Sequence, residues 1–281
     1  MQSINVKVDR ITVAGTLLGK TLADIHEMFG LALKDGAFYL EREDADGNVE
    51  NMAFMAENAF QRDSWRLDFN PANLTDYETL CVSKVIKAMD KAHFTRLDVA
   101  FDLINIEHAM DCRLYRFNVR EDIEREIRGR DKSLQTYYWG ARKSEQQVRL
   151  YDKLVEQKAK HKSIPAGVES WARLELQLRG KRPVDWLKSA GVMLDEFKLA
   201  DLHVLPLNQR AMMYALINGI IEWHELGSKT TQAKYRKMIR ESQGFSTELA
   251  EQMKRVLAAR TDELNHELRV YLQDWNIPTE K

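Results

Sequence analysis

The 281-residue sequence has few of the residues that build specialised scaffolds. It contains two cysteines, Cys81 and Cys112, in no CxxC arrangement, so a disulfide framework and a thiolate zinc site are both poorly supported. Five prolines and 13 glycines are spread along the chain, and no segment is rich in proline, glycine or serine. With 44% hydrophobic and 30% charged residues, the composition indicates an ordered globular protein.

Long apolar runs are also missing. The N-terminus MQSINVKVDR lacks the apolar run of a signal peptide, and no stretch reaches the roughly 18 consecutive apolar residues of a membrane span. We therefore expect a cytoplasmic protein without a membrane partner. A chain of this length buries a core that needs neither metal nor disulfide support.

The net charge of -1 conceals two oppositely charged parts. Residues 1–80 carry 7 basic and 14 acidic side chains, whereas residues 113–182 carry 18 basic and 10 acidic ones. A locally basic stretch is typical of proteins that bind a polyanion, but solvated basic faces are also common. Charge alone leaves both interpretations open.

The periodicity of apolar residues predicts an α+β fold. Amphipathic helices are predicted over 21–36 and 75–92, the second opening with a Thr75/Glu78 capping box. From Pro183 onward the pattern is helical. Period-2 alternation predicts strands in INVKVDRITV, SWRLDFNP, TRLDVAFD, QTYYWG, QQVRLYDK and ARLELQLRG. We expect a mostly antiparallel central sheet with packed helices in a domain of residues 1–182, followed by a helical region of residues 183–281.

Three of these strands carry polar side chains on one face and apolar ones on the other, because successive side chains of a strand point to opposite faces. The polar sets are Arg96, Asp98 and Asp102 in TRLDVAFD, Arg149, Tyr151 and Lys153 in QQVRLYDK, and Arg173, Glu175, Gln177 and Arg179 in ARLELQLRG. Each strand therefore has one side for the core and one side with potential ligands.

If these strands are neighbours, Asp98, Asp102 and Glu175 offer hard oxygen ligands for Mg²⁺ or Mn²⁺, beside Tyr151 as a nucleophile. A tyrosine is a weak nucleophile at neutral pH, and Lys153 on the same face would favour its phenolate. Arg149 would hold a phosphate. The alternative is a half-exposed antiparallel sheet, with charges that pair for stability and with Tyr151 as a structural aromatic.

The segment YYWGARKSEQQVRLYDK, residues 137–153, closely resembles the catalytic segment of the Rep_trans family of rolling-circle plasmid replication initiators. The positions that carry the resemblance are Gly140, Arg142, Lys143, Ser144, Arg149, Tyr151, Asp152 and Lys153. WRLDFNP and TRLDVAFD before this segment, and WARLELQLRG after it, are also similar to the family and stand in the same order. The resemblance spans roughly residues 60–182, and the helical remainder is similar only in general character.

The resemblance implies a metal-dependent DNA nicking and joining enzyme. In the family, a tyrosine attacks a phosphodiester at the double-strand origin, which leaves a 5′-phosphotyrosine link and a free 3′-OH that primes replication. Carried over to this sequence, Tyr151 is the nucleophile, and Asp98 with Glu175 are the preferred ligands for Mg²⁺ or Mn²⁺, with Asp102 less firmly placed. No HxH motif is present, which agrees with a carboxylate metal site.

Further residues are candidates for contact with DNA. Arg142 and Lys143 occupy a predicted hairpin turn, and KAKHK places Lys158, Lys160 and Lys162 in a predicted loop between the Tyr151 and Glu175 strands. The predicted helix over 230–241 carries Lys234, Arg236, Lys237 and Arg240, and the family precedent favours it for origin recognition. Each group is also compatible with an ordinary solvated surface.

The neighbouring aromatics leave a second question open. Tyr137, Tyr138 and Trp139 are expected as strand residues that fill the core, with base stacking as the alternative, and Tyr138 is also the main competitor of Tyr151 as nucleophile.

The partners implied by the family are origin DNA, both duplex and extruded single strand, a helicase and a second copy in a homodimer. Alternatives remain: a conjugative relaxase with the same chemistry, a non-catalytic origin-binding regulator, and a metal nuclease in which Tyr151 is structural.

Overall fold

The computed structural model describes residues 1–44, 47–58, 63–115, 124–273 and 275. Within these residues, ten strands form one antiparallel sheet in the order β2-β3-β4-β5-β1-β6-β11-β10-β9-β8, and three short strands form a second sheet in the order β13-β12-β7. The predicted α+β class with a mostly antiparallel central sheet is confirmed. The strands are β1 (Ser3–Thr16), β2 (Ala32–Lys34), β3 (Ala37–Glu43), β4 (Val49–Glu57), β5 (Ser64–Phe69), β6 (Asp90–Ile104), β7 (Arg113–Leu114), β8 (Glu124–Arg128), β9 (Leu134–Trp139), β10 (Gln146–Asp152), β11 (Trp171–Arg179), β12 (Phe197–Ala200) and β13 (Phe245–Ser246).

Most of the described α-helices pack on one face of the large sheet or lie in the C-terminal third of the chain. They are α1 (Leu22–Phe29), α2 (Asp76–Ala88), α3 (Lys153–Ala159), α4 (Trp186–Glu196), α5 (Leu207–Ile217), α6 (Lys229–Arg240) and α7 (Glu248–Tyr271). In the described part of the chain, no helix is both long and apolar enough to cross a membrane.

The two predicted N-terminal helices form, but both end earlier than expected. α1 stops at Phe29 because Gly30 adopts a left-handed conformation (φ 64°), which ends a helix readily, and residues 32–34 then start the sheet as β2. α2 begins with the predicted capping box, in which the Thr75 hydroxyl accepts from the Glu78 N–H. It ends at Ala88, and the following residues already belong to β6.

The main core lies between the apolar face of the large sheet and helices α2, α4 and α7. The apolar residues of β6, β10 and β11 that the alternation predicted, such as Phe101, Leu150 and Leu174, are fully buried there. α7 contributes Leu264 and Leu268 to the same core, and the Arg260 guanidinium donates to the Val6 carbonyl of β1 at 2.9 Å. The C-terminal helix therefore stabilises the sheet directly.

A second, smaller core lies within the region of residues 183–281. It joins α5, α6 and β13 through buried side chains that include Met213, Tyr235 and Ile239. Lys198 of β12 is buried beside it and donates from Nζ to the Ile239 carbonyl at 2.9 Å, near the end of α6. α4 and α7 thus pack with the sheet, whereas α5 and α6 pack with each other. The division of roles at residue 182 stays a prediction.

Candidate active site

Strands β6, β11 and β10 are neighbours, as the chemical interpretation of the sequence required. The register pairs Tyr151 with Arg173, Arg173 with Asp102, and Arg149 with Glu175. Since directly opposed residues project from the same face of a sheet, the polar side chains of the three strands share one face. This polar face lies opposite the main core.

Tyr151 stands at the end of β10 in a small open cleft on the polar face. The cleft has a volume of about 290 Å³. Its basic side chains are Lys7, Arg149, Lys153, Lys160, Lys162 and Arg173, against the carboxylates of Asp9 and Glu156. The excess of positive charge around a hydroxyl suits a phosphate group.

Two cationic side chains flank the Tyr151 ring, Arg149 from the same strand and Lys153 from the start of α3. The Arg149 guanidinium carbon lies 4.1 Å from the ring centroid, and the Lys153 Nζ lies 5.6 Å from it. Burial raises the pKa of Tyr151 well above its usual value, an effect that Arg173 and Arg149 oppose and Glu175 reinforces. The phenol is therefore protonated in the free protein, and activation requires a further positive charge or a proton acceptor.

Arg149 has one free donor at this site. Its Nη2 donates to Glu175 Oε2 at 2.7 Å, whereas its buried Nε has no hydrogen-bond partner among the described residues. Buried donors without a partner are rare because each one costs free energy. This donor is itself buried, and the exposed part of the Arg149 side chain is what a phosphate in the cleft can reach.

Lys153 is less available than the sequence suggested. Asp152 caps α3 by accepting from the Val155 N–H at 2.9 Å, so Lys153 is the first residue of that helix. Its ammonium group pairs with Glu156, which also accepts from Lys160 at 2.7 Å. Burial, followed by the charge of Arg173, lowers the pKa of Lys153. Lys153 faces Tyr151 while its own charge is already partnered.

Two of the three predicted metal ligands are brought together. The amide nitrogen of Gln177 lies 3.3 Å from Asp98 Oδ2 and 3.3 Å from Glu175 Oε1, so it bridges the two carboxylates. Each carboxylate also pairs with an arginine, Arg96 for Asp98 and Arg149 for Glu175. Burial raises the pKa of Asp98 to about 6, against the opposing effect of Arg96.

Asp102 does not lie beside Asp98 and Glu175, so the expected convergence of these three carboxylates is wrong. It lies four residues from Asp98 on one strand, about 13 Å at the rise of a β-strand. Arg173 grips it with Nε at 2.6 Å and Nη2 at 2.9 Å, and Trp171 donates to it at 2.8 Å. Over the described ranges, no group of three or more His, Cys, Asp or Glu side chains is placed to hold a metal ion.

Two carboxylates nevertheless fit the donor set that Mg²⁺ takes at phosphoryl-transfer sites. Such ions are commonly held by one or two carboxylates, with water and substrate phosphate supplying the other oxygens. Asp98 and Glu175 provide the hard anionic donors, and both are almost fully buried on the polar face. Their assignment as metal ligands stays a prediction.

The residues predicted to contact DNA occupy three separate places. Lys160 and Lys162 line the Tyr151 cleft, but the segment before them is the helix α3 and not the loop that the sequence suggested. Arg142 and Lys143 are exposed in the turn between β9 and β10, at the other end of the β10 strand. The remaining predicted contacts are all exposed: Lys158 on α3, and Lys234, Arg236, Lys237 and Arg240 on α6.

The aromatic segment of β9 is divided between the two faces. Tyr137 and Trp139 are buried in the main core, as expected. The expected core position of Tyr138 is wrong, because strand alternation turns it to the other face: Tyr138 pairs with Arg149 in the register and is half-buried on the polar face, with the Arg125 guanidinium 4.5 Å from its ring. Tyr138 is outside the lining of the cleft that contains Tyr151. The position of Tyr151 among the cations favours it as the nucleophile.

Arg173, Lys7 and Asp9 belong to the site but were not among the predicted site residues. Arg173 Nη1 donates to Asp9 Oδ1 at 2.8 Å, and Lys7 Nζ lies 3.7 Å from Asp102 Oδ2. The alternation of ARLELQLRG had already placed Arg173 on the polar face. The contribution of β1 depends on that strand lying beside β6, which no local pattern reveals.

Comparison with known proteins identifies the family of this chain. The sequence model of Rep_trans, described as replication initiation factor, matches residues 92–241, a segment that contains β6, β10, β11 and α6. A replication initiation protein of Staphylococcus aureus is 28% identical over 242 residues, which cover 81% of this chain and 71% of the relative. A second one is 26% identical over 242 residues, covering 81% and 72%.

A solved rolling-circle replication initiator protein from Geobacillus stearothermophilus matches 70% of this chain and 87% of its own, with a TM-score of 0.40 and 18% identity. The match to the family model identifies the class of protein as a replication initiation factor. The family model matches more than half of the chain, and the chain belongs to the Rep_trans family.

Proposed function

We propose that this replication initiator starts rolling-circle replication of a plasmid by nicking one strand of the double-strand origin with Tyr151, and later rejoins it. The observation that carries the proposal is the position of the Tyr151 side chain in a cleft lined by six basic residues and two acidic ones. A cleft of this charge binds a phosphodiester. The tyrosine is the nucleophile of the cleft.

The proposed reaction is a transesterification. Tyr151 Oη attacks the phosphorus, the bond from phosphorus to the 3′ oxygen breaks, and a 5′-phosphotyrosine bond forms. The proton lost by the phenol is balanced by the proton taken up by the leaving 3′ oxygen. One phosphoester replaces another, so a later 3′-OH reverses the step and seals the strand without ATP.

The basic residues have distinct tasks in this proposal. Arg149, whose side chain is partly exposed in the cleft, binds the phosphate, and Arg173, buried directly opposite Tyr151, adds positive charge that stabilises the phosphate oxygens. Both oppose the effect of burial on the pKa of Tyr151. Lys153 supports the ring and the phenolate from the first turn of α3.

Asp98 and Glu175 would hold Mg²⁺ or Mn²⁺ on the polar face, with Glu175 on β11 beside β10 and Asp98 one strand further, on β6. A bound divalent ion would stabilise charge on the non-bridging phosphate oxygens. Burial raises the pKa of Asp98 despite its pairing with Arg96, and a bound cation would favour its anionic form. Asp102 instead positions Arg173.

The surrounding surfaces extend the contact with origin DNA. Lys160 and Lys162 border the cleft, and α6 presents Lys234, Arg236 and Lys237 away from its buried face. We propose that α6 and the helical region recognise the origin duplex. A helicase that unwinds from the nick and a second copy in a homodimer complete the proposed assembly.

The proposal is tested by incubating the protein with supercoiled plasmid that carries its own replicon's origin, with Mg²⁺, Mn²⁺ or EDTA. We expect nicking that requires the divalent ion and a DNA-linked peptide that contains Tyr151. Tyr151→Phe should abolish both products, while Tyr138→Phe serves as the matched control and should retain them. Mass spectrometry of the linked peptide identifies the residue.

Each other outcome has a definite meaning. Nicking without a linked peptide would indicate metal-dependent hydrolysis, and a link at Tyr138 would move the nucleophile to β9. Specific binding without nicking would indicate a non-catalytic regulator. Any of these three results would overturn the assignment of Tyr151.

A further inference from the structure

A second positively charged group lies on the polar face, at the end farthest from Tyr151. Arg96 of β6 and Arg179 of β11 are directly opposed in the register of the two strands. Like charges in this position destabilise a sheet unless an anion lies between or above them. The opposed pair is therefore a feature that folding alone does not favour.

The turn between β9 and β10 adds a third arginine to this pair. Arg179 donates from Nη1 to the Ser144 carbonyl at 3.1 Å and from its backbone N–H to the Glu145 carbonyl at 2.7 Å. These bonds fix the end of β11 against the turn that carries Arg142. Burial and the charge of Arg96 lower the pKa of Arg179, an effect that Asp98 opposes and Arg10 and Arg142 reinforce. We call Arg96, Arg142 and Arg179 the arginine cluster.

The negative charges nearby do not neutralise the cluster. Arg96 is matched by Asp98, with Nε 2.8 Å from Oδ1. Glu145 lies in the same turn but pairs with Arg182 at 3.3 Å. In the part of the chain that the structure describes, neither Arg142 nor Arg179 forms an ion pair with a carboxylate. The Arg179 guanidinium donates only to the neutral acceptors Gln177 Oε1 and the Ser144 carbonyl, so its charge and that of the exposed Arg142 are available to an external anion.

We propose that the arginine cluster binds a backbone phosphate of the same DNA strand that Tyr151 attacks, a few nucleotides away from the scissile one. This inference rests on the proposed function. Arg179 is six residues from Arg173 along β11, about 20 Å at the rise of a β-strand. Guanidinium groups suit this task because their planar fork matches the oxygens of a phosphate.

The charges at the centre of the polar face favour a DNA strand that is bound at the two ends of this face, by the Tyr151 cleft and by the arginine cluster. Asp98 and Glu175 lie between the Tyr151 cleft and the arginine cluster, and because they are paired with Arg96 and Arg149 they leave little free positive charge for a phosphate there. A strand held at both ends is stretched across the carboxylates. The arginine cluster thereby sets the register of the strand, and so determines which phosphodiester reaches Tyr151.

The test measures binding of a labelled single strand of about 12 nucleotides, within the usual size of single-strand sites, as salt is varied. The variants are Arg142→Gln, the double variant Arg142→Gln with Arg179→Gln, and Arg255→Gln as the matched control. Arg255 is exposed on α7, which packs on the opposite face of the sheet. Arg142 is exposed in a turn, so its substitution leaves the fold intact even if the double variant is less stable.

We expect the slope of log affinity against log salt to become shallower by about 0.7 for each phosphate of the single strand that the variant no longer neutralises. Because the cluster binds one phosphate, each variant should lose at most about one such step, with the full step in the double variant, whereas Arg255→Gln should keep the wild-type slope. Wild-type slopes in both Arg142→Gln and the double variant would overturn the arginine cluster as a phosphate site.

The Tyr151 adduct, measured in parallel, separates this inference from the proposed function. If the wild-type protein forms the adduct and the variants keep the wild-type salt slope, the nicking function stands and the arginine cluster is not a phosphate site. Changed slopes without an adduct in the wild-type protein would sustain the phosphate site and overturn the nicking function on which its role in strand register depends.

Discussion

Replacing Asp102 by asparagine tests whether this carboxylate is a structural partner of Arg173 or a metal ligand. Asp102 accepts hydrogen bonds from Arg173 at 2.6 and 2.9 Å and from Trp171 at 2.8 Å, and Arg173 is only 3% exposed. Asparagine keeps the shape but removes the charge. Arg173 then retains Asp9 as its remaining carboxylate, at 2.8 Å.

The expected loss of stability follows from the burial of the pair. Removing one partner of a buried ion pair costs about 3–5 kcal/mol, because the other charge is left uncompensated. The interaction with Asp9 keeps the expected cost at the lower end, about 3 kcal/mol, which corresponds to a fall in Tm of about 6 °C for a chain of this size. Urea unfolding in EDTA, followed by circular dichroism, measures this free energy of unfolding without any contribution from a divalent ion.

A double variant identifies the cause of the destabilisation. Asp102→Asn combined with Arg173→Met removes both buried charges, and we expect it to regain about half of the stability that the single variant loses. A loss below about 1 kcal/mol for Asp102→Asn in EDTA would refute the reasoning. A loss that emerges only when Mg²⁺ stabilises the wild-type protein would instead support Asp102 as a metal ligand.

Two further predictions concern parts of the molecule outside the cleft. Arg42 holds the pKa of Glu78 at about 2, below its ordinary value. The stability that the pair contributes is therefore complete above about pH 4.5 and is lost as the pH falls through about 2. With allowance for solvent screening of Arg42, we expect this contribution to the free energy of unfolding to be about 2 kcal/mol. Urea unfolding from pH 7 to pH 3 should show this decline, and a Glu78→Gln variant with an unchanged pH profile would contradict it. Lys198→Met should weaken the end of α6, where the ammonium group donates to the Ile239 carbonyl, by about 1–2 kcal/mol. Hydrogen exchange should become faster in α6 but not in β6. Equal exchange rates in α6 of the wild-type protein and the variant would show that the Lys198 hydrogen bond does not stabilise this helix.

The polar face was predictable because it depends on short-range geometry. Alternation along QQVRLYDK and ARLELQLRG fixes which side chains share a face, whatever the neighbouring strands are. Tyr151, Arg149 and Glu175 were therefore identified correctly as members of one face. Their adjacency needed the order of β6, β11 and β10, which is set by packing between distant parts of the chain.

The predictions that are wrong concern features that depend on strand register or on competing local signals in the sequence. The sequence places Asp102 and Asp98 on one face, but only the register shows that Asp102 meets Arg173 while Asp98 meets Gln177. α1 had two glycines as possible ends, and the earlier one, Gly30, terminates it because the residues after it pair with β3. Long-range pairing overrode the helical periodicity in that segment.

The junction of β10 and α3 has a mechanical consequence for the nucleophile. Tyr151 is hydrogen-bonded into a sheet ladder on both sides, and the next residue, Asp152, caps a helix. The backbone of Tyr151 cannot move without breaking the ladder or unwinding the first turn of α3. The conformational entropy of placing the phenol is therefore lost once, during folding, and not again in each cycle. In the proposed reaction the covalently held 5′ end would share this rigidity, and the strand would wait at the position from which it was cut until a 3′-OH arrives.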